Sequence, residues 1–513
     1  MKRSGQTGST GRGNASGDPA GVSREHSSRS GNEPGVGADG LPVRRMNRRS
    51  HPDEGSNRMD ESGTVRSRSA IPPSGGAGTR REAVSPDSGY EKEHLLEAIL
   101  DTSNVSEAWK RVKSNRGAPG IDGITIDVFP ERFRAGWPQL REALLAGTYV
   151  PSAVRRVELA KSDGGVRLLG IPTVLDRLIQ QAIAQILGPI FDPGFSDYSY
   201  GFRPQRSAHD AVRQVSDSIK LGRRIAVDLD LSKFFDRVNH DVLMLRLSRK
   251  VTDKRVMRLI GRYLRAGVEV DGRCQRTTQG VPQGGPLSPL LANIVLDDLD
   301  QELERRGHRF ARYADDFVIM VKSPRAGERV MASVRRFLER KLKLKVNEEK
   351  SAVVKSSALH FLGFAFRGAK IVWSERSLRR FVYRVRELTS RNWGVAMAKR
   401  LKELAQYLRG WMGYFGLSHT YAVVCLLEKW IRRRLRCCYW KMWKTRGNRI
   451  RQLLRLGACR KDAILHGLSG SGCWAMSKSP TINHAMNNDW LSAQGLPSLT
   501  ERWAHIHYPT TVR

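Results

Sequence analysis

The chain has 513 residues, enough for two or three domains with their own cores, and its 88 Lys and Arg against 51 Asp and Glu give a formal net charge of +37. An excess of that size points to a polyanionic partner, either nucleic acid or an anionic membrane surface. No run of eighteen apolar residues occurs and the opening MKRSGQTGST lacks the apolar segment of a signal peptide, so a spanning helix is excluded and nucleic acid is the expected partner.

Residues 1–88 differ in composition from the rest. The first 90 positions hold 16 Gly, 14 Lys and Arg against 10 Asp and Glu, no Phe or Trp, and a single Tyr at 90. A segment so poor in apolar surface cannot offset the entropy of ordering it, and it is expected to be a disordered Gly/Ser/Arg-rich extension. Alternatively the working start lies downstream, at Met46 or Met59. The six cysteines, Cys274, Cys425, Cys437, Cys438, Cys459 and Cys473, form no CxxC pair and have no histidine at zinc spacing. They read as reduced, mostly buried thiols of a cytoplasmic protein.

Order begins near Glu91. Leu95, Leu96, Ile99 and Leu100 fall at helical spacing, a second short helix carries Trp109 and Val112, and Asn115–Gly123 is loop by its Gly and Pro. A β-hairpin follows, Val154–Leu159 and Arg167–Gly170 around a turn from Lys161 to Gly165. Asp176–Gly188 reads as an apolar helix, and Tyr198–Ser207, YSYGFRPQRS, as a loop entering a helix with Ala208, Ala211, Val212 and Val215.

In IAVDLDLSKFFD, residues 225–236, Ile225, Val227, Leu229 and Leu231 alternate with Asp228 and Asp230, the period of a strand with one core face and one acidic face. The same alternation sends Phe234 into the core and Phe235 to the other side. VPQGGPLSP, residues 281–289, is loop, with Ser288 as helix N-cap and Pro289 as first helical residue. Leu290, Leu291, Ile294, Leu296, Leu299 and Leu303 line the helix beyond it. Then RFARYADDFVIMV, residues 309–321, gives two strand-like runs separated by Asp315 and Asp316, a tight hairpin with two carboxylates at its tip. Adjacent carboxylates repel unless a cation joins them, and oxygen-only donors point to Mg²⁺.

From Ile371 to Arg460 there are 22 Lys and Arg against 4 Asp and Glu. Trp393, Trp411, Tyr414, Phe415, Trp430, Tyr439, Trp440 and Trp443 are interleaved with them, a pattern suited to phosphate contacts and base stacking. The last fifty residues read as polar and irregular.

Together these motifs resemble the group II intron-encoded reverse transcriptases, or maturases, from about Asn115 to the end. The palm patterns are DLSKFFD at 230–236, PQGGPLSPLLANI at 282–294 and YADD at 313–316. RLLGIPTVLDRLIQ at 167–180 and SYGFRPQRSAH at 199–209 match finger patterns, with Leu168 where Pro is usual. LRGWMGYFG at 408–416 and EKWIRRRLRCCYWKMWK at 428–444 resemble the thumb or maturase domain. Residues 472–496 resemble a short DNA-contacting segment. No cysteine-and-histidine nuclease module follows, so second-strand cleavage is not expected of this chain.

The resemblance implies an α+β right-hand polymerase, fingers and palm with an antiparallel palm sheet, followed by an α-helical thumb. The implied domains are an N-terminal helical extension over 89–150, fingers and palm over 151–370, thumb over 371–460 and the DNA-contacting segment over 461–513. It selects Asp230, Asp315 and Asp316 as catalytic, metal-binding acids for two Mg²⁺, the spacing of five to Phe235 favouring Asp230 over Asp228. Lys161 and Arg167 would neutralise the triphosphate. Gln283 and its glycines would let backbone approach nucleotide and template, and Phe235 would stand where a ribose 2′-hydroxyl must go. Arg432, Arg433, Arg434, Arg436, Lys441 and Lys444 would bind RNA. Implied partners are intron RNA, an RNA template with DNA primer, deoxynucleoside triphosphates and target DNA, with no membrane; a homodimer is compatible with the sequence. A splicing factor without polymerase activity and a host-serving reverse transcriptase in defence or repair are the alternatives.

Overall fold

The computed structural model describes residues 94–160, 166–270 and 272–509, all within one compact unit. The extension over 1–88 and the turn from Lys161 to Gly165 lie outside the described residues, and of Arg167 only the backbone is described.

Helices α1 (Leu95–Ile99) and α2 (Thr102–Ser114) open the described chain, the Asp101 carboxylate accepting from the Ser103 N–H to cap α2. After α3 (Phe129–Leu145), strands β1 (Val154–Ala160) and β2 (Val166–Ile171) pair antiparallel, Arg155 opposite Ile171 and Leu159 opposite Arg167. Thr173 caps α4 (Val174–Phe191), which runs beyond the apolar stretch in the sequence and packs on α1 and α2. A Ser207–Asp210 capping box starts α5 (Ala208–Lys220) at its expected position.

Strand β3 (Ile225–Leu229) ends before Asp230, and the next element is a helical turn, α6 (Phe234–Arg237). Phe234 and Phe235 therefore sit on a helix, and strand alternation does not set their directions. The break comes at Lys233, whose φ of 49° is left-handed. Helices α7 (His240–Leu247) and α8 (Lys254–Arg265) lead to β4 (Val268–Val270), which runs parallel to β1, and β5 (Arg273–Gln275). Ser288 is already the first residue of α9 (Ser288–Arg305), so the helix begins one residue earlier than expected and Leu287 takes the cap position. The Ser288 hydroxyl donates instead to the Pro282 carbonyl at 2.6 Å.

The hairpin strands are β6 (Arg309–Tyr313) and β7 (Asp316–Val321). The two turn residues are thus Ala314 and Asp315, and Asp316 opens β7 opposite Tyr313. Ala314 takes the positive φ of 59° that a tight hairpin demands. With α10 (Pro324–Phe337) and β8 (Ala352–Lys355) the central sheet is complete, in the order β6-β7-β3-β8, antiparallel throughout. In β3, Ile225, Ala226, Val227 and Leu229 are all buried, so the expected alternation of a core face and an open face fails. Helix α10 covers one side of the sheet and α5 packs against β6 and β7. Gly327 of α10 lies so close to the sheet that a Cβ there would come within 2.5 Å of Val353. The acid-bearing end of the strand is the part left open.

A small antiparallel sheet, β9 (His360–Phe361), β10 (Phe364–Arg367) and β11 (Lys370–Trp373), leads into α11 (Glu375–Leu388), α12 (Met397–Phe415) and α13 (Tyr421–Met442). Then come α14 (Arg446–Arg455), α15 (Arg460–Leu468), α16 (Cys473–Met476), α17 (Pro480–Ala485), α18 (Asn488–Ala493) and α19 (Leu499–His507). The segment expected to be irregular is thus a series of short helices, α18 and α19 capped by Asn487 and Ser498. It folds back on α13 through α16 and α19, and Trp503 Nε1 donates to the Ser418 carbonyl at 2.6 Å. Trp411, Phe415, Trp430, Tyr439, Trp440 and Trp443 are buried, so these rings are core and not stacking platforms. All six cysteines are free thiols, but just Cys437 and Cys438 are buried, while Cys274 and Cys459 are exposed. Among the described residues no helix is long and apolar enough to cross a membrane.

Candidate active site at the head of the central sheet

The antiparallel register of β3 against β7 pairs Leu229 with Phe317 as its last step. Asp230 and Asp316 are the next residues on either strand, so the sheet delivers the second carboxylate of each motif to one edge. Asp315 stands beside them in the turn, half-buried, and Asp316 is exposed. Asp228 faces the same cluster. Its carboxyl is pushed up to about 7, first by burial and then by the negative charges of Asp316 and Asp230. Crowding of this kind is what a bound cation relieves.

Asp230 is anchored from a segment that the sequence did not single out. Asn347 Nδ2 donates to Asp230 Oδ2 at 3.0 Å, the Asn347 N–H donates to the Asp230 carbonyl at 2.8 Å, and the Asp230 N–H donates to Ser351 Oγ at 3.0 Å. Those partners lie more than a hundred residues downstream in an unremarkable polar stretch, NEEKS, which carries no local signal of its role.

The donors are carboxylate oxygens, the ligand type of a hard divalent cation. Among the described residues no three His, Cys, Asp or Glu side chains close on a single point. Carboxylate donors of this kind are of the type that Mg²⁺ takes one or two at a time, its shell completed by water and substrate phosphates.

Phe235, on the helical turn that follows Asp230, is half-buried, and buried Phe234 meets it edge-on at 5.0 Å between ring centres. The loop carrying Gln283 passes beneath them: the Val281 N–H donates to the Phe235 carbonyl at 2.6 Å and the Gly170 N–H to the Gln283 carbonyl at 2.7 Å. Gly284, at φ +121°, could not hold a side chain here, since a Cβ would stand 2.6 Å from the Gly170 carbonyl oxygen. Its glycine brings the loop onto β2, the strand that carries Arg167. Lys161 lies outside the described residues.

Beyond the hairpin, α12 presents Tyr414, whose hydroxyl donates to the Leu362 carbonyl at 3.0 Å. Burial foremost, with the charges of Tyr313 and Asp316 adding to it, raises the Tyr414 phenol above its usual range. A cleft of about 1020 Å³ opens there between the β9–β10 turn, α11 and α12, with Arg376, Arg379 and Arg380 on its wall.

Arg432, Arg433 and Arg436 of α13 line a second, basic groove with Lys429, Lys478 and three asparagines. Several have internal partners. Arg433 Nη2 donates to the Trp474 carbonyl at 2.9 Å, Arg434 Nε to Thr389 Oγ1 at 2.6 Å, and Arg432 Nη2 to Glu428 at 2.5 Å. Arg436 is buried and donates to the Met486 carbonyl at 2.9 Å. Lys441 reaches Asn392 Oδ1 at 2.7 Å, and Lys444 is exposed beside Arg446 and Arg449.

Residues 159–366 match the reverse transcriptase (RNA-dependent DNA polymerase) family, and residues 378–457 the group II intron maturase-specific domain. Protein YkfC of Escherichia coli is 33% identical over 329 residues, covering 56% of this chain and 85% of YkfC. The group II intron-encoded protein LtrA of Lactococcus lactis is 32% identical over 328 residues, 51% of this chain and 54% of LtrA. A putative COX1/OXI3 intron 2 protein of Saccharomyces cerevisiae is 33% identical over 215 residues, 41% of this chain and 25% of that protein. The chain thus spans most of YkfC and about half of LtrA. With a reverse transcriptase match over the antiparallel sheet that carries the acid cluster and a maturase-specific match after it, the chain belongs to the reverse transcriptases of the group II intron-encoded type.

Proposed function

We propose that the chain copies an RNA template into DNA from a DNA primer, and that it binds intron RNA to assist splicing and retrohoming. The observation that carries the polymerase reading is the meeting of Asp230 and the Asp315–Asp316 turn at one sheet edge, with the Asp228 carboxyl raised by burial and then by the charges of Asp316 and Asp230.

Asp230, Asp315 and Asp316 would hold two Mg²⁺, which when bound lower the pKa of the primer 3′-hydroxyl and stabilise the leaving pyrophosphate. Asn347 keeps the Asp230 carboxylate turned toward the site. Phe235 stands under the sugar of the incoming nucleotide and excludes a 2′-hydroxyl by bulk. Lys161 and Arg167, on the β1–β2 hairpin, neutralise the triphosphate. The cleft lined by Arg376, Arg379 and Arg380 takes the primer–template duplex as it leaves the site, and the basic faces of α13 and α14 take intron RNA. Contact with target DNA falls to the helices after α15.

Asp230→Asn or Asp315→Asn should abolish extension of a DNA primer on an RNA template while leaving intron RNA binding near wild type, since the helical domain is untouched. Extension close to wild type in either variant contradicts the assignment.

A further inference from the structure

Arg312 lies on β6 two residues before the turn that presents Asp315, and it is wholly buried, as are Asp300, Ser199 and, to 1% exposure, Asn293. A guanidinium inside a protein is tolerated when its five N–H groups are all used and its charge is matched. Both conditions are met here. Nε donates to both oxygens of Asp300 at 2.9 Å, and Nη2 to Asp300 Oδ2 at 2.5 Å and Ser199 Oγ at 2.7 Å. Nη1 donates to Asn293 Oδ1 at 2.9 Å and to the Ala314 carbonyl at 3.0 Å.

These partners come from three places. Asp300 and Asn293 are one helical face of α9, Ser199 belongs to the YSYGF loop, and the Ala314 carbonyl is the peptide that joins the left-handed Ala314 to Asp315. The loop is bound from the other side as well. Asn293 Nδ2 donates to the Gly201 carbonyl at 2.9 Å, the Tyr200 N–H to the Arg312 carbonyl at 2.9 Å, and the Arg312 N–H to the Tyr198 carbonyl at 2.9 Å. Gly201 then lies against the turn, where a Cβ would be 2.4 Å from the Ala314 nitrogen. A two-residue turn with an alanine at positive φ has little intrinsic preference for this shape. Something outside the turn holds it.

We propose that Arg312 is a positioning residue for polymerisation: its guanidinium, set by Asp300 and Asn293, fixes the Ala314–Asp315 peptide and with it the direction in which the Asp315 carboxylate meets the metal and the primer end. Asp300, Asn293 and Ser199 aim the guanidinium, and the YSYGF loop closes the turn from above. The role rests on the polymerase reading of Asp315. Failure of that reading shows separately, as an Asp315→Asn variant that still extends primers.

The test pairs two variants of the full chain. Arg312→Met with Asp300→Leu removes both buried charges together, a replacement that buried ion pairs tolerate without unfolding. Arg312→Lys keeps the charge beside Asp300 but has no planar fork to reach Ala314 as well. Each is measured for thermal midpoint, for affinity toward an RNA–DNA primer–template, for Mn²⁺ binding by calorimetry, and for single-turnover extension across a Mg²⁺ titration. The expected result is a midpoint and primer–template affinity near wild type, with weaker Mn²⁺ binding, a higher half-saturating Mg²⁺, and an extension rate down about a hundredfold, the usual penalty for an ångström-scale misplacement. Wild-type Mn²⁺ affinity and rate in a folded variant overturn the proposal. So does a loss of all properties in step with the thermal midpoint, which makes Arg312 a stabilising residue alone. If the double variant fails to fold, Arg312→Lys decides by the same criteria.

Discussion

Phe235 shows how one side chain can be argued once its element is known. It stands on a helical turn, half-buried, while Phe234 beside it is fully buried. A ring packed under a sugar excludes a ribose by overlap, which costs roughly 1 to 3 kcal/mol by analogy with overpacked cores. That corresponds to about fivefold to 150-fold discrimination. Phe235→Ala should raise ribonucleotide incorporation by about that factor and spare deoxynucleotide use; Phe234→Ala should lower stability and use of both together. Single-nucleotide extension with matched ribo- and deoxynucleotides separates the two, and an equal loss with both sugars in Phe235→Ala makes that ring ordinary core. Asp297, on α9 beside the Arg312 network, gives a pH-dependent case. Burial, more than its neighbour Asp300, pushes its carboxyl up to about 6, while Gln301 and Arg312 pull the other way. Its folded pKa thus exceeds the roughly 3.9 of an unfolded Asp, so it costs no stability below pH ~4 and an increasing amount up to pH ~6. Asp297→Asn should therefore match wild type in thermal midpoint at low pH and exceed it by a few degrees above pH ~6. A gap that does not change with pH contradicts the shift.

At the scale of elements, α13 and the corner that joins it to α14 divide their cations between two tasks that composition cannot tell apart. Arg436 is buried against the Met486 carbonyl and Arg433 holds the Trp474 carbonyl, with its guanidinium 3.5 Å from the Trp474 ring centre. They tie the C-terminal helices to α13. Arg436→Ala should cost stability by about 1.5 to 3 kcal/mol, the worth of a charged hydrogen bond. Lys444 and Arg446 line an acid-free pocket at the α13–α14 corner, facing the Ser469–Gly472 loop. Replacing both with Ala should leave the thermal midpoint in place and flatten the salt dependence of RNA binding, by roughly 0.7 log units per log salt for each phosphate no longer neutralised. An unchanged slope places the RNA elsewhere. The same division explains what the sequence could and could not reveal. Period-two spacing identified β3, and two strand-like runs around Asp315 and Asp316 identified the hairpin, but the spacing of β3 ran on through Leu231 toward Phe234, where a left-handed Lys233 turns the chain into a helix. Strand spacing said nothing of a cover on the second face of β3, because Ala226, buried there, is as compatible with an open face as with a buried one. Aromatic residues among arginines read as a stacking surface, although the rings point inward and several arginines point at backbone carbonyls.

For the molecule as a whole, the motifs pointed to the acids proposed to carry the chemistry, and tertiary structure supplied the residues that hold them. Asp230, Asp315 and Asp316 were legible because paired acids on strands are uncommon and fall in a recognisable order. Asn347, Asp300, Asn293 and Arg312 were not, since each is an ordinary residue until folding brings it to a partner 12 to 117 positions away. The net charge of +37 named a polyanion without naming its place. What unites these features is a template-directed polymerase whose acids meet at the open end of the central sheet. The most direct measurement is single-nucleotide extension of a DNA primer on four RNA templates that differ in the first uncopied base, with wild type, Asp230→Asn and Asp315→Asn side by side in Mg²⁺. The account predicts that wild type adds the complementary deoxynucleotide on each template and that both variants add none. Addition that ignores the template base, or that persists in the variants, contradicts it.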